Sequence, residues 1–249
     1  MFGTREHVDV ATTLNNLGRL AKAQGKYDEA QQYYKESLDI NTKMFGTREH
    51  VDVATTLNNL GLLAQTQGKY DEAQQYYKES LDIKVEMLGT HEHVDVATTL
   101  NNLGQLAQTQ GKYDEAQQYY KESLDIKAKM FGTREHVSVA TTLWNLGALA
   151  VEQKKFDEAQ KYLEEAYAIY IKAYHHEDHP SVKALVSWMD RLEKLRNADL
   201  NVSNSADPEV GGNQAMEQLE VLENEEENMG KLDAGGQQKV PAKKWFQIF

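Results

Sequence analysis

The sequence predicts an all-α chain, a solenoid of stacked helix hairpins, and three observations carry that prediction. Rows of 43 residues superpose almost without gaps, with His7, His50, His93, His136 and His179 each opening a row. No proline occurs before Pro180, and the body is rich in Ala, Leu, Gln, Glu and Lys, so nothing in it breaks a helix interior. Apolar residues recur at helical spacing twice in every row, which makes one hairpin per row.

The rows define four units, 7–49, 50–92, 93–135 and 136–178. The second and third are identical at 38 of 43 positions, differing at 62/105, 85/128, 86/129, 88/131 and 91/134. Within the first unit, Val10, Leu14, Leu17 and Ala21 mark a first amphipathic helix over about 8–24. Tyr27, Ala30, Tyr34, Leu38, Met44 and Phe45 mark a second over about 27–45, with Asp28 and Glu29 at its positive end. The tyrosine stripes Tyr27/Tyr70/Tyr113 and Tyr34/Tyr77/Tyr120 are read as core. Gly25 and its equivalents cap the first helix and turn the hairpin, and Gly46, Gly89 and Gly132 close the second helix. Gly18, inside a helix, costs about 1 kcal/mol against alanine, which predicts close approach of a neighbouring backbone there. One such hairpin cannot bury both its apolar faces, so the units must stack.

The string from Leu14 to Ile40, LNNLGRLAKAQGKYDEAQQYYKESLDI, carries Leu-Gly in the first helix, Gly-x-Tyr at the turn, and Ala, Tyr and small-Leu in the second. It resembles the tetratricopeptide repeat, and more narrowly the long repeat of kinesin light chains and nephrocystin-type proteins. His179-Pro180-Ser181-Val182-Lys183-Ala184 comes close to the way that repeat opens. The resemblance covers residues 1 to about 197 and implies a right-handed superhelix and a protein-binding role. Two features depart from it: there is no N-terminal heptad coiled coil, and the loop Gly-Thr-Arg-Glu-His is one residue longer.

Residues 1–6 read as the remnant of a preceding repeat, because MFGTREH recurs at 44–50 and 130–136; the start is expected to be internal to a longer array, leaving Val10, Leu14 and Leu17 on an uncovered flank. Residues 179–198 read as a solvating cap with Val182, Leu185, Val186, Met189, Leu192 and Leu195 apolar. Residues 199–249 carry 10 acidic and 4 basic groups and read as an acidic, mostly disordered tail. Its aromatic end, Trp245 to Phe249, follows about 43 linker residues, a flexible reach of about 35 Å, so it is a candidate intramolecular ligand.

Composition narrows function. The net charge of −12 without a basic run disfavours nucleic acid and anionic lipid. Zero cysteines exclude disulfides, thiolate metal sites and a cysteine nucleophile. The absence of a signal-peptide core or a long apolar run points to a soluble cytoplasmic protein. No phosphate-binding loop, dinucleotide fingerprint or nucleophile elbow occurs, so neither an enzyme nor a cofactor is expected.

By the resemblance, first helices line a concave face and their polar stripe would hold an extended peptide. That stripe comprises Asn15, Asn16, Arg19 and Lys22; Asn58, Asn59, Leu62 and Gln65; Asn101, Asn102, Gln105 and Gln108; and Trp144, Asn145 and Val151. Amides both donate and accept, so a row of them can pair with peptide backbone whatever its sequence. The stripe grades from a basic end to an apolar one, and Trp144 breaks it where the other units have asparagine. The alternatives are that the asparagines merely bond neighbouring helices or water, and that Trp144 packs beneath the cap. Two other readings remain open: a sensor or regulatory array severed from a larger nucleotide-switch protein, and a metal-dependent enzyme at His175-His176-Glu177-Asp178-His179.

Overall fold

The computed structural model describes residues 4–204, and the side chains of 9–201. Nine α-helices occupy the described residues: α1 (Thr4–Ala23), α2 (Tyr27–Phe45), α3 (Val51–Thr66), α4 (Tyr70–Leu88), α5 (Val94–Thr109), α6 (Tyr113–Phe131), α7 (Val137–Glu152), α8 (Phe156–Tyr174) and α9 (Pro180–Asn204). The expected acidic tail from 205 onward and the aromatic end Trp245 to Phe249 lie outside the described residues. The chain divides into two compact units between Thr142 and Leu143, inside α7.

In the first unit α1, α3 and α5 each pair with the helix that follows, while α2 and α4 also pack on the next first helix. The apolar spacing explains this. Ala21 of α1, Ala30 and Tyr34 of α2, and Leu60 and Leu63 of α3 form one buried cluster, and Ala64, Ala73, Tyr77, Leu103 and Leu106 repeat it one unit on. Each hairpin is pinned by a buried serine hydroxyl donating across it, Ser37 to Ala11 O at 2.8 Å, with Ser80 to Ala54 O and Ser123 to Ala97 O at 2.7 Å.

The turns follow the glycines. Gly25, Gly68 and Gly111 sit at φ of 73 to 75°. The Gly25 amide donates to Lys22 O (3.0 Å) and the Lys26 amide to Ala21 O (2.9 Å), a Schellman closure repeated in the next two hairpins. Gly46, Gly89 and Gly132 end the second helices in the same left-handed region. Gly18, Gly61 and Gly104 are forced for another reason, and here the expectation is corrected. A Cβ on any of them would lie 2.5 to 2.7 Å from the ring of Tyr34, Tyr77 or Tyr120, so an aromatic side chain makes the close approach, not backbone.

The row-opening histidines from His50 onward are helix caps. His50 and His93 Nδ1 accept from the Asp52 and Asp95 amides at 3.2 and 3.1 Å, and His136 Nδ1 accepts from Ser138 N at 3.1 Å. The ring of His50 also stacks on Phe45 at 3.4 Å, and that of His136 on Phe131 at 3.5 Å. An imidazole that caps a helix and lies flat on the preceding helix end fixes the inter-repeat turn from both sides.

Of the residues expected on an uncovered flank, Val10 and Leu17 are exposed, whereas Leu14 is half-buried. Val10, Leu17 and Leu20 are 47%, 39% and 55% exposed, whereas their equivalents Val53, Leu60 and Leu63 are at most 1% exposed beneath the preceding second helix.

In the second unit the remainder of α7 and α8 form the hairpin, closed by Lys154 in the left-handed region (φ 57°) where the other hairpins use glycine. Helix α9 packs on α8, burying Val182, Leu185, Leu192 and Ala198. Arg196 donates to Asp157 (2.7 Å) and Gln160 (2.9 Å), and Lys154 pairs with Asp199 at 3.0 Å. Helix α9 extends to Asn204, beyond residue 198 where the sequence reading ends the cap, and Val186, assigned to its apolar face, is 39% exposed.

Candidate functional site

The polar stripe of the first helices is a bonded ladder. Asn59 Nδ2 donates to Asn15 Oδ1 at 2.7 Å and Asn102 Nδ2 to Asn58 Oδ1 at 3.0 Å, so the second asparagine of each repeat reaches back to the first asparagine of the repeat before. Asn15 Nδ2 in turn donates to Thr56 Oγ1 at 2.8 Å. Spacings of 3 and 4 residues place these side chains on one face, and the shared register of identical repeats brings them within reach of one another. Asn16 and Arg19 are exposed; Asn15, Lys22, Asn58, Asn59, Leu62 and Asn102 are half-buried.

The rest of the stripe lies deeper. Gln65, Asn101, Gln105 and Gln108 are buried, at 5 to 9% exposure. Gln65 Oε1 accepts from the Tyr77 hydroxyl at 3.0 Å and Gln108 Oε1 from Tyr120 at 2.9 Å. Burial pushes the Tyr77 phenol upward. In the first repeat Lys22 stands where those glutamines stand; burial, and then the neighbouring Arg19, lower its ammonium to about 8, while burial raises Tyr34 to about 12.

In the second unit Asn145 and Val151 are buried, at 4% and 8% exposure. Trp144 is half-buried and meets Tyr170 edge-on, 6.5 Å between centroids at 82°, and its Nε1 is shielded without a hydrogen-bond partner. Tyr170 stacks on Tyr174, which stacks on His179 at 3.5 Å. His179 Nδ1 accepts from the Ser181 amide at 3.2 Å, and Asp178 pairs with Lys183 at 2.8 Å, so two members of the His175 to Asp178 and His179 run serve the start of α9. Among the described residues no three His, Asp or Glu side chains gather in metal-binding geometry.

A further set of residues escaped the sequence reading because it lies on the second helices. Lys84, 4% exposed, crosses from α4 to donate to Thr99 Oγ1 at 2.8 Å, and Lys127, 5% exposed, does the same to Thr142 at 2.8 Å. Burial lowers both ammonium groups to about 8, with Asp95 pulling Lys84 the other way. At the same position the first repeat has Asn41 and the fourth Tyr170. The available signal was a lysine seven residues beyond a core tyrosine, on the buried phase of the helix.

Two profiles described as tetratricopeptide repeat match the sequence, one over residues 52–129 and 131–182, the other over 10–52. The chain belongs to the tetratricopeptide repeat family. No curated protein matches it. Among solved structures, this tetratricopeptide array is similar to BtubC (BKLC) from P. vanneervenii, with a TM-score of 0.65 and 23% identity over 87% of this chain and 82% of that one. It is also similar to a putative kinesin light chain of Podospora anserina with nearly identical repeats. There the TM-score is 0.57 and the identity 21% over 89% of this chain and 97% of that one. A single-substitution form of that protein gives a TM-score of 0.59 and 20% identity over 90% and 97%. The fold is thus that of kinesin light chain-like tetratricopeptide arrays, and tetratricopeptide repeats typically mediate protein–protein interaction. No helix among the described residues is long and apolar enough to cross a membrane.

Proposed function

We propose that this chain is a non-enzymatic cytoplasmic adaptor that holds an extended segment of a partner protein along the face built by its first helices, in the manner of a kinesin light chain. The observation that carries the reading is the amide ladder. Asn16 is exposed, and Asn15, Asn58, Asn59 and Asn102 are fixed by one another at 2.7 to 3.0 Å yet only half-buried. An amide has two donors and two acceptor lone pairs, and the bond to Asn15 uses one donor of Asn59. The preset orientation lowers the entropy cost of engaging a peptide backbone.

A peptide-array screen comparing wild type with Asn59→Ala/Asn102→Ala tests this. Loss of at least about 1 kcal/mol per lost backbone contact is expected, a drop of about fivefold to tenfold in affinity for each. Circular dichroism and thermal melting establish that the double variant remains folded. Unchanged binding by a folded variant removes the ladder from the account, and Asn16→Ala, whose side chain is exposed, asks the same question without disturbing the interhelix bonds.

A further inference from the structure

The three seams of the first unit should be alike, since the repeats are nearly identical, and one of them is not. At the second and third seams a lysine from the second helix, Lys84 or Lys127, runs through the packing and delivers its ammonium to a threonine of the next first helix at 2.8 Å. Lys84 Nζ also lies 3.4 Å from the backbone carbonyl of Asp95. The seam between the first and second repeats has the same threonine and aspartate, Thr56 and Asp52, but Asn41 in place of the lysine, and there Thr56 Oγ1 accepts from Asn15 Nδ2 at 2.8 Å instead. Asn41 is 2% exposed, and its Oδ1 is shielded without a partner. A shielded acceptor left unpaired is costly.

The shorter side chain leaves space. A cavity of about 140 Å³ opens at this seam, lined among others by Asn15, Asn41, Asp52, Asn59 and Arg19. The groups lining it that can accept include Asn41 Oδ1, the Asp52 carboxylate and the side-chain oxygen of Asn59, one of whose two amide N–H bonds is used on Asn15. Three acceptors suit the three N–H bonds of one primary ammonium. Arg19, on the wall, repels any incoming ammonium, and the single Asp52 carboxylate offsets one such charge, which suits one ammonium on a slim stem and not a polycation.

We infer that this seam is a pocket for a primary alkylammonium group, filled by a lysine side chain of the bound partner segment in place of the internal lysine of the later seams. The lysine enters from the first-helix face, its ammonium settling against Asn41 and Asp52. This inference rests on the peptide-binding reading for the source of the lysine, but the pocket itself does not.

The probe for the pocket is n-butylammonium, observed by saturation-transfer NMR on the full chain, with n-butanol and butyrate as the neutral and anionic counterparts. Wild type should saturate butylammonium only. Asn41→Lys, which places in this seam the residue that the next two carry, should fold and abolish the signal. Lys84→Asn should open a second pocket and raise it. Equal signals from all three probes, preferential binding of butyrate, or persistence of the butylammonium signal in folded Asn41→Lys would overturn the pocket.

The source is tested with peptides selected by wild type from a random library. Replacing the peptide's lysine by norleucine, or using the Asn41→Lys protein, should each weaken binding about tenfold, the worth of a charge-assisted hydrogen bond. Peptides that bind the asparagine face with no lysine preference, and equally well to Asn41→Lys, sink the inference and leave the peptide reading standing. Butylammonium binding that Asn41→Lys removes, with no peptide retained from the library, keeps the amine pocket and sinks the peptide reading.

Discussion

Gly104→Ala measures how tightly the hairpin core is fitted. In an exposed helix the substitution stabilises by about 1 kcal/mol, because alanine loses less backbone freedom than glycine. At position 104 the added methyl would lie 2.6 Å from Tyr120 Cε1 and 2.7 Å from Cδ1, well inside contact distance. The Tyr120 ring is fully buried and its hydroxyl is held by Gln108 at 2.9 Å, so it has nowhere to retreat without breaking that bond. Overpacking of this kind costs about 1–3 kcal/mol, and loss of the tyrosine bond adds about 1 kcal/mol. Set against the helix gain, the net expectation is destabilisation by about 2 kcal/mol. Urea unfolding followed by circular dichroism reads it as a lowered midpoint at unchanged slope. The same substitution in a Tyr120→Ala background should reverse sign and stabilise by up to about 1 kcal/mol, since the clash is gone and only propensity remains. A stabilised Gly104→Ala single variant would refute the reasoning.

Other outcomes follow from the same packing. Leu63→Ala should cost about 2–5 kcal/mol, whereas Leu20→Ala, at the equivalent but 55% exposed position, should stay within about 0.5 kcal/mol in urea melts; equal costs would mean that α1 is covered after all. His93→Ala should destabilise by about 1 kcal/mol through loss of the helix cap, while His93→Asn, which can accept from the same amide, should recover most of it. Lys84 and Lys127 titrate near 8 when folded, against an ordinary lysine value of 10.5, so the unfolded chain binds more protons in between. Stability should therefore rise with pH above about 8, by up to about 3 kcal/mol per lysine across the full window. The rise is opposed above pH 10, where the unfolded tyrosines ionise before the buried Tyr34. Melts at pH 7 and 9.5 should show it, and Lys84→Met should shrink the slope; a flat profile in wild type would contradict the buried-ammonium geometry.

The hairpins, turns and core tyrosines were legible in the sequence because each is a local, periodic feature. Gly25 ends an apolar period, and Tyr34 recurs as Tyr77 and Tyr120 at a fixed phase. What the sequence could not show was which atom meets which across a seam. Gly18 announced a close approach, but whether backbone or the Tyr34 ring made it depends on how α2 lies on α1. The asparagines were visible as a row, yet their bonding to one another depends on the stagger between successive first helices. Trp144 stood out as an anomaly, while its contact Tyr170, on the facing helix of the same hairpin, did not, because that position varies as Asn41, Lys84, Lys127 and Tyr170 and carries no single residue type. The same variation concealed the cavity beside Asn41, whose polar side chain on a second helix would ordinarily be assigned to solvent.

The central claim is that a partner segment lies on the first-helix face, and site-specific photo-crosslinking tests it most directly. A photoreactive residue placed at exposed Asn16, Thr55 or Thr98 on that face, or at exposed Lys35 or Glu36 on α2, is irradiated with a library-selected peptide bound. Crosslinks from positions 16, 55 and 98, and none from 35 and 36, are the predicted result. Crosslinks confined to positions 35 and 36 would place the partner on the second helices and contradict the account.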